Sequence, residues 1–258
     1  MDKLTYLIDY LTQYNGNIYP ALFHDFLTFR ALMNITMPVD LDPKYYKAQD
    51  EYLRELIEKR GITDVTTLPM QLPKIALFKG DITTLKADAI VTAANREMLG
   101  CFTPNHNCID NAIFTFAGLQ LRAEMMEIME RQNGFEPNGK AKISKAYNLP
   151  AKHVIHTVGP IVHGNISKED QIDLRNCYIS CLKLADAYKL ENIVFPCIST
   201  GVFGYPIKQA SDLAFSTVLE YLEENASTSI QLVIFNTFSD RDYDIYNSLI
   251  KRYTSESR

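Results

Sequence analysis

The sequence predicts an α/β protein: a three-layer α/β/α body on a mixed, largely parallel sheet, preceded by a helical N-terminal extension. Two observations carry this. From about residue 74, short β-rich runs alternate with stretches of helical periodicity, the order that builds a sheet covered by helices on both faces. Ahead of that point, apolar residues recur mainly at helical spacing. The expected division is an extension over 1–73 and the α/β body over 74–258.

In the extension, Leu4, Leu7, Ile8 and Leu11 mark a first helix. Phe23, Phe26, Leu27 and Ala31 mark a second, expected near 21–33. The third carries its own punctuation: Asp42 as N-cap, Pro43 at the first helical position, an apolar face of Tyr45, Tyr52, Leu53, Leu56 and Ile57, and a stop at Lys59-Arg60-Gly61. Residues 63–73 read as an irregular connection. In the body, strands are expected at 75–79, 89–93, 153–158, 192–196 and 231–236, with helices at 109–131, 170–187, 208–224 and 240–253. There is no internal repeat or low-complexity tract.

With 258 residues, 47% of them hydrophobic, the chain can bury a substantial core. No apolar run approaches the roughly 20 residues that span a bilayer, and the opening Met1-Asp2-Lys3-Leu4 lacks a secretion profile. A soluble cytoplasmic protein is expected. An odd count of five cysteines suits a reducing compartment better than a disulfide framework. A net charge of −5 offers no basic field for duplex nucleic acid, although backbone N–H groups can still bind phosphates.

Parallel sheets bind ligands beyond the carboxyl ends of their strands, so the loops that follow strands are the candidates. Gly80-Asp81-Ile82-Thr83 reads first as a turn; functionally, Asp81 can accept a hydrogen bond from a nucleobase amine. Ser199-Thr200-Gly201-Val202-Phe203-Gly204 lets the backbone approach a ligand and can form an anion-binding nest, or a plain tight turn. It holds no Lys or Arg. Neither a P-loop nor GxGxxG is present, which argues against an ordinary nucleotide kinase or dehydrogenase.

The densest segment runs from Asn95 to Asp110. Cys101, His106 and Cys108 are spaced C-x4-H-x-C, and two thiolates with one imidazole and an open position suit catalytic zinc. The spacing is no standard finger, so small residues around a turn remain an equal reading. Asp110 opens the next helix, where it either complements the helix N-terminus or orients a water as base. Asn95 can fix a hydroxyl or close a turn. Cys177 and Cys181 share a helical stripe with Leu174, Tyr178 and Leu182 and read as core; Cys197 can line a pocket but is not assigned as a ligand. His153 and His156 read as structural or surface residues, and His24 has no evident partner.

Together these segments resemble the macro domain family, in its zinc-containing microbial branch. The resemblance spans about 74–245 and is carried in order by Gly80-Asp81-Ile82-Thr83, Asp88-Ala89-Ile90-Val91-Thr92-Ala93-Ala94-Asn95, Leu99-Gly100-Cys101-Phe102 with His106 and Cys108, Ile109-Asp110-Asn111-Ala112-Ile113, Tyr147-Asn148-Leu149-Pro150, Val154-Ile155-His156-Thr157-Val158-Gly159-Pro160 and Phe195 to Gly204. It implies an ADP-ribose pocket. Asp81 and Ile82 would meet the adenine, with Asn236 and Phe238 near the base, and Ser199, Thr200, Gly201, Val202, Phe203 and Gly204 would wrap the diphosphate. Asn95 would bind the distal ribose beside Cys101, Ile109 and Asp110. It also implies Zn2+ on Cys101, His106 and Cys108, where related domains carry a glycine-rich catalytic loop. Two positions depart from the family: Thr92 stands where Asn is usual, and Phe114 where His is common.

The function implied is removal of ADP-ribose from mono-ADP-ribosylated protein, with Asn95 and Asp110 as catalytic residues. The branch further suggests reversal of a sirtuin-type modification on a lipoyl-carrier protein. Two other functions fit the same loops: a reader that binds ADP-ribose without turnover, and a hydrolase of small ADP-ribose derivatives. No membrane and no direct nucleic-acid partner are expected.

Overall fold

The computed structural model describes residues 2–19 and 22–256. Its extension forms α1 (Lys3–Tyr14), α2 (Phe26–Ile35) and α3 (Pro43–Arg60). The α3 punctuation is as expected: the Asp42 side chain accepts from Lys44 N at 2.8 Å, Pro43 opens the helix, and Gly61 ends it at φ 83°. Helix α2 starts later than its apolar stripe suggests, because Asp25 accepts from Thr28 N at 2.8 Å and sets the first turn there. Ala21, included in the expected helix, lies outside the described residues.

Residues 63–73 are not irregular. They contain β1 (Thr63–Asp64), a single 3-10 turn and β2 (Met70–Leu72). The body then runs β3 (Ile75–Lys79), β4 (Leu85–Lys86), β5 (Ala89–Ala93), α4 (Ile109–Ala117), α5 (Leu119–Gln132), β6 (Ala141–Lys145), β7 (His153–Thr157), α6 (Lys168–Ala187), β8 (Asn192–Phe195), α7 (Ile207–Glu224), β9 (Leu232–Thr237) and α8 (Asp240–Glu256). The single helix expected over 109–131 is two. Gly118, at φ 97°, breaks it where a Cβ would meet Gln49 Nε2 at 2.5 Å, and the Gln49 side chain accepts from Leu119 N at 3.0 Å to cap α5.

Seven strands form the main sheet in the order β2-β3-β9-β8-β5-β7-β6, and β1 pairs with β4 apart from it. The five inner strands are parallel; β2 and β6 run antiparallel at the edges. Alternation along β5 shows the layering: Ile90 packs with α1 to α5 on one face, and Ala89 and Val91 pack with α6 to α8 on the other. The extension therefore shares one apolar cluster with α4, α5 and the sheet through Leu7, Leu11, Phe29, Leu32, Tyr45 and Leu53. Cys177 and Cys181 are buried in the opposite layer, as their stripe predicts. His24 does have a partner, the Asp9 carboxylate at 2.9 Å. Among the described residues no helix is long and apolar enough to cross a membrane. Because β5, β8 and β9 run parallel and adjacent, their following loops open at one edge of the sheet.

Candidate active site

That edge holds a cavity of about 430 Å³. The segment after β5 contributes Asn95, Cys101, His106, Asn107, Cys108, Ile109 and Asp110. The loop after β8 contributes Pro196, Cys197 and residues 199–203, the end of β9 contributes Asn236, and the stretch beyond it contributes Phe238 and Asp242. Most residues singled out in the sequence meet here. Asp81, Ile82 and Gly204 do not line this cavity.

The Cys/His cluster is compact. Cys101 Sγ lies 3.6 Å from His106 Nδ1, and the donor atoms of Cys101, His106 and Cys108 all lie within 4.8 Å of one another. Zinc–sulfur and zinc–nitrogen bonds of ordinary length hold tetrahedral donors roughly 3.3–3.8 Å apart, so the three side chains fit such an ion with little adjustment. Their shared exposure to the cavity leaves room for a fourth ligand. Cys108 also caps α4, its sulfur accepting from Asn111 N at 3.4 Å. Burial pushes the metal-free Cys108 thiol up to about 12, a preference that a coordinated cation reverses by deprotonating the thiol.

Asp110, in the first turn of α4, is 4% exposed and accepts from Thr92 Oγ1 at 3.1 Å. Burial raises its carboxyl to about 7, opposed by the Thr92 hydroxyl and the Arg122 charge. The two departures from the family acquire local explanations. Thr92 is the hydroxyl partner of Asp110 rather than packing alone. Phe114 forms a floor: a Cβ at Gly100, which sits at φ 84°, would lie 2.7 Å from its ring, and the ring meets His156 edge-on. His156 is fully buried beside Ser144 Oγ at 2.9 Å, and burial lowers its imidazole to about 3.

Asn95 spends much of its amide on the turn: Oδ1 accepts from Met98 N at 2.9 Å and Nδ2 donates to Gly100 O at 3.0 Å. One amide hydrogen remains for the cavity. Across from it, the N–H groups of Gly201, Val202 and Phe203 have no intramolecular acceptor among the described residues, while Gly204 N and Tyr205 N close the loop onto Gly201 O and Ser199 O. Ser199 Oγ is buried without a partner. Three consecutive free N–H groups are the kind of backbone arrangement that can bind an anion without any basic side chain.

Asp81 and Asn236 are more committed than their sequence reading suggests. Asp81 Oδ1 accepts from Thr83 N and Oγ1, and Oδ2 pairs with Arg60 Nη2 at the end of α3. Ile82 packs into the core. Asn236 donates to Gly80 O at 3.0 Å, tying β9 to the end of β3, while Phe238 is 78% exposed at the rim. Sequence reasoning missed Asn107 and Asp242. Asn107 lies inside the C-x4-H-x-C spacing, and Asp242 reads as an ordinary acidic residue of a helix first turn. That both follow strand ends is the signal that could have flagged them.

A parallel-centred α/β/α sheet thus carries at one edge a cavity with three uncommitted backbone N–H groups on one loop and a Cys/His cluster on another, the architecture of an α/β ligand-binding domain. The chain belongs to the macro domain family, whose pattern matches residues 91–214. It is 42% identical over 258 residues to a protein-ADP-ribose hydrolase of Treponema medium, covering 96% of this chain and 98% of that one. A protein-ADP-ribose hydrolase of Staphylococcus aureus (strain MSSA476) is 44% identical over 257 residues, covering 97% and 96%. The macrodomain of Trypanosoma brucei in complex with ADP superposes with a TM-score of 0.66 at 28% identity, covering 87% of this chain and 95% of that one.

Proposed function

We propose that the protein is a hydrolase that removes ADP-ribose from mono-ADP-ribosylated protein, with zinc held by Cys101, His106 and Cys108. The single observation that carries this is the cavity itself: a buried carboxyl, Asp110, and three metal-type donors stand at one end, and free backbone N–H groups stand on the facing loop. The nearly full-length relatives named as protein-ADP-ribose hydrolases support the same reading.

In this reading the Gly201–Phe203 N–H groups and the Ser199 hydroxyl receive the diphosphate, whose charge they match without the desolvation cost of a buried lysine. Phe238 offers its exposed ring to the base. The remaining Asn95 amide hydrogen orients a hydroxyl of the distal ribose. Bound zinc would supply Lewis-acid polarisation of a ligand oxygen at that end of the cavity. Asp110, fixed by Thr92, accepts a proton from the water whose oxygen bonds to ADP-ribose, and returns it to the protein side chain as the bond between the two breaks. A sirtuin-type modified lipoyl-carrier protein is the target class suggested by the branch resemblance.

The test is release of free ADP-ribose from a mono-ADP-ribosylated protein panel by zinc-loaded protein. Release, including from a modified lipoyl carrier, is expected. Tight ADP-ribose binding with no release from any member identifies a reader instead, and release from small esters alone identifies the small-molecule hydrolase.

A further inference from the structure

The loop that carries the three donor side chains is poorly held by its own backbone. Residues 101–108 contain neither helix nor strand, and among the described residues the loop makes only two internal backbone hydrogen bonds, His106 N to Thr103 O at 3.2 Å and Cys108 N to His106 O at 3.0 Å. Two such bonds do not fix three side chains around one point.

The missing constraint comes from α2. Arg30 Nη2 donates to the carbonyl of His106 at 3.1 Å, and its Nε donates to Asn111 Oδ1 at 2.9 Å. Asn111 passes that grip back to the loop, its Nδ2 donating to Thr103 O at 3.0 Å and its N–H meeting Cys108 Sγ. One turn along α2, Asn34 accepts from Asn105 N at 2.9 Å. Asn34 is 1% exposed and donates to Thr115 Oγ1 at 3.2 Å, so its amide orientation is fixed with the oxygen towards the loop. Asn105 sits in the left-handed region at φ 54°, which Asn adopts more readily than most other non-glycine residues. Helix α2 is itself anchored. Arg122 of α5, 2% exposed, donates to Met33 O at 2.8 Å and Thr36 O at 2.5 Å at the α2 end, and to Leu99 O at 2.8 Å just ahead of Cys101.

We propose that α2 of the N-terminal extension is a built part of the metal centre, in which Arg30 and Asn34 are positioning residues that hold the 101–108 loop so that Cys101, His106 and Cys108 converge. The inference rests on the metal reading above. The hydrogen bonds of the two α2 side chains go to the backbone of the ligand-bearing loop and to Asn111 and Thr115, not to the donor atoms of Cys101, His106 or Cys108. A planar fork that reaches His106 O and Asn111 together is a geometry that lysine, a single point donor, cannot reproduce.

The experiment uses the full chain as wild type, Arg30→Ala, Arg30→Lys and Asn34→Ala, with far-UV circular dichroism confirming the fold. Metal-free proteins are alkylated, with the modification of Cys101 and Cys108 timed by peptide mass, and then titrated with Zn2+ against a chromophoric chelator. Outer partners of metal ligands typically contribute tenfold or more to affinity, so about a ten- to hundredfold weaker zinc affinity is expected for Arg30→Ala and Asn34→Ala. Faster alkylation of both thiols, partial recovery in Arg30→Lys and unchanged ADP-ribose affinity of the metal-free proteins are expected alongside. Folded Arg30→Ala and Asn34→Ala proteins with wild-type zinc affinity and wild-type alkylation rates overturn the proposal. If wild type itself takes up no zinc, the metal reading fails on that measurement, and the alkylation rates alone uphold or overturn the hold of α2 on the loop.

Discussion

Thr92 donates its hydroxyl to Asp110 at 3.1 Å; both side chains are buried, and Asp110 lines the cavity. The pairing joins the C-terminal half of β5 to the first turn of α4 and leaves the Asp110 carboxylate one fixed orientation. In the proposed function this carboxylate acts on chemistry more than on binding, because the N–H groups proposed to receive the diphosphate lie on a different loop. Asp110→Asn is therefore expected to lower kcat by about 10²-fold or more, the usual scale of general acid–base assistance, with ADP-ribose affinity little changed. Thr92→Val, which removes the donor but keeps the shape, is expected to lower kcat by roughly 10-fold, the scale of one hydrogen bond to a charged group. Single-turnover release assays with calorimetric binding on the same proteins check both. A loss of affinity that parallels the loss of rate would show that the pair acts in binding.

Gly100 carries a second expectation. At φ 84°, with the Phe114 ring 2.7 Å from any Cβ built on it, Gly100→Ala faces both backbone strain and a clash with an aromatic floor that is itself packed against His156. The expected cost is about 1–3 kcal/mol of stability. Urea unfolding of Gly100→Ala beside wild type measures it, and the double variant Gly100→Ala/Phe114→Leu is expected to recover part of the loss.

How much of this was legible in the sequence depended on how local the cause was. The limits of α3 were readable because Asp42, Pro43 and Gly61 act on neighbours. The break at Gly118 was not, since apolar periodicity continues through it and the cap of α5 comes from Gln49, 70 residues away. β1 and β2, at two and three residues, are too short to show a period. At the site, Cys101, His106 and Cys108 were visible as types in a loop, but spacing alone could not bring them together. The contacts that shape that loop, Arg30 to Asn111 and Asn34 to Asn105, span 81 and 71 residues and leave no local pattern. The commitment of Asp81 to Arg60 is equally silent, because a carboxylate after a strand reads the same whether it faces a ligand or the end of a neighbouring helix.

His156 makes stability depend on pH. Its folded value of about 3 lies below the ordinary 6.5, so the unfolded chain binds the proton more readily. The stability contributed by the buried neutral ring is fully present above about pH 6.5 and is lost as pH falls from there towards 3. Between pH 6.5 and 4.5 this amounts to a loss of about 1–3 kcal/mol at about 1.4 kcal/mol per unit. His156→Asn is expected to flatten that part of the profile by the corresponding amount. Urea midpoints at pH 7.0, 5.5 and 4.5 measure it; an equally steep fall in the variant would place the proton uptake elsewhere.

Metal removal separates the two ends of the cavity. In the proposed zinc site two thiolates would balance the charge of a divalent cation, and removing the ion would leave a Cys108 thiol whose burial favours the protonated form, with a value of about 12. In the proposed reading that end would then lack its means of polarising an oxygen. The Gly201–Phe203 N–H groups lie on the loop after β8, and no donor atom of the cluster bonds to them. Chelator-treated protein is accordingly expected to lose release of ADP-ribose, with affinity for free ADP-ribose reduced far less. Added Zn2+ is expected to restore release, while Mg2+, which prefers oxygen ligands, does not. Cys101→Ser and His106→Ala are expected to behave as the chelated protein does and to resist rescue. Release that persists at full rate in protein shown by elemental analysis to be metal-free would remove zinc from the reaction and leave Asp110 and Thr92 as its centre.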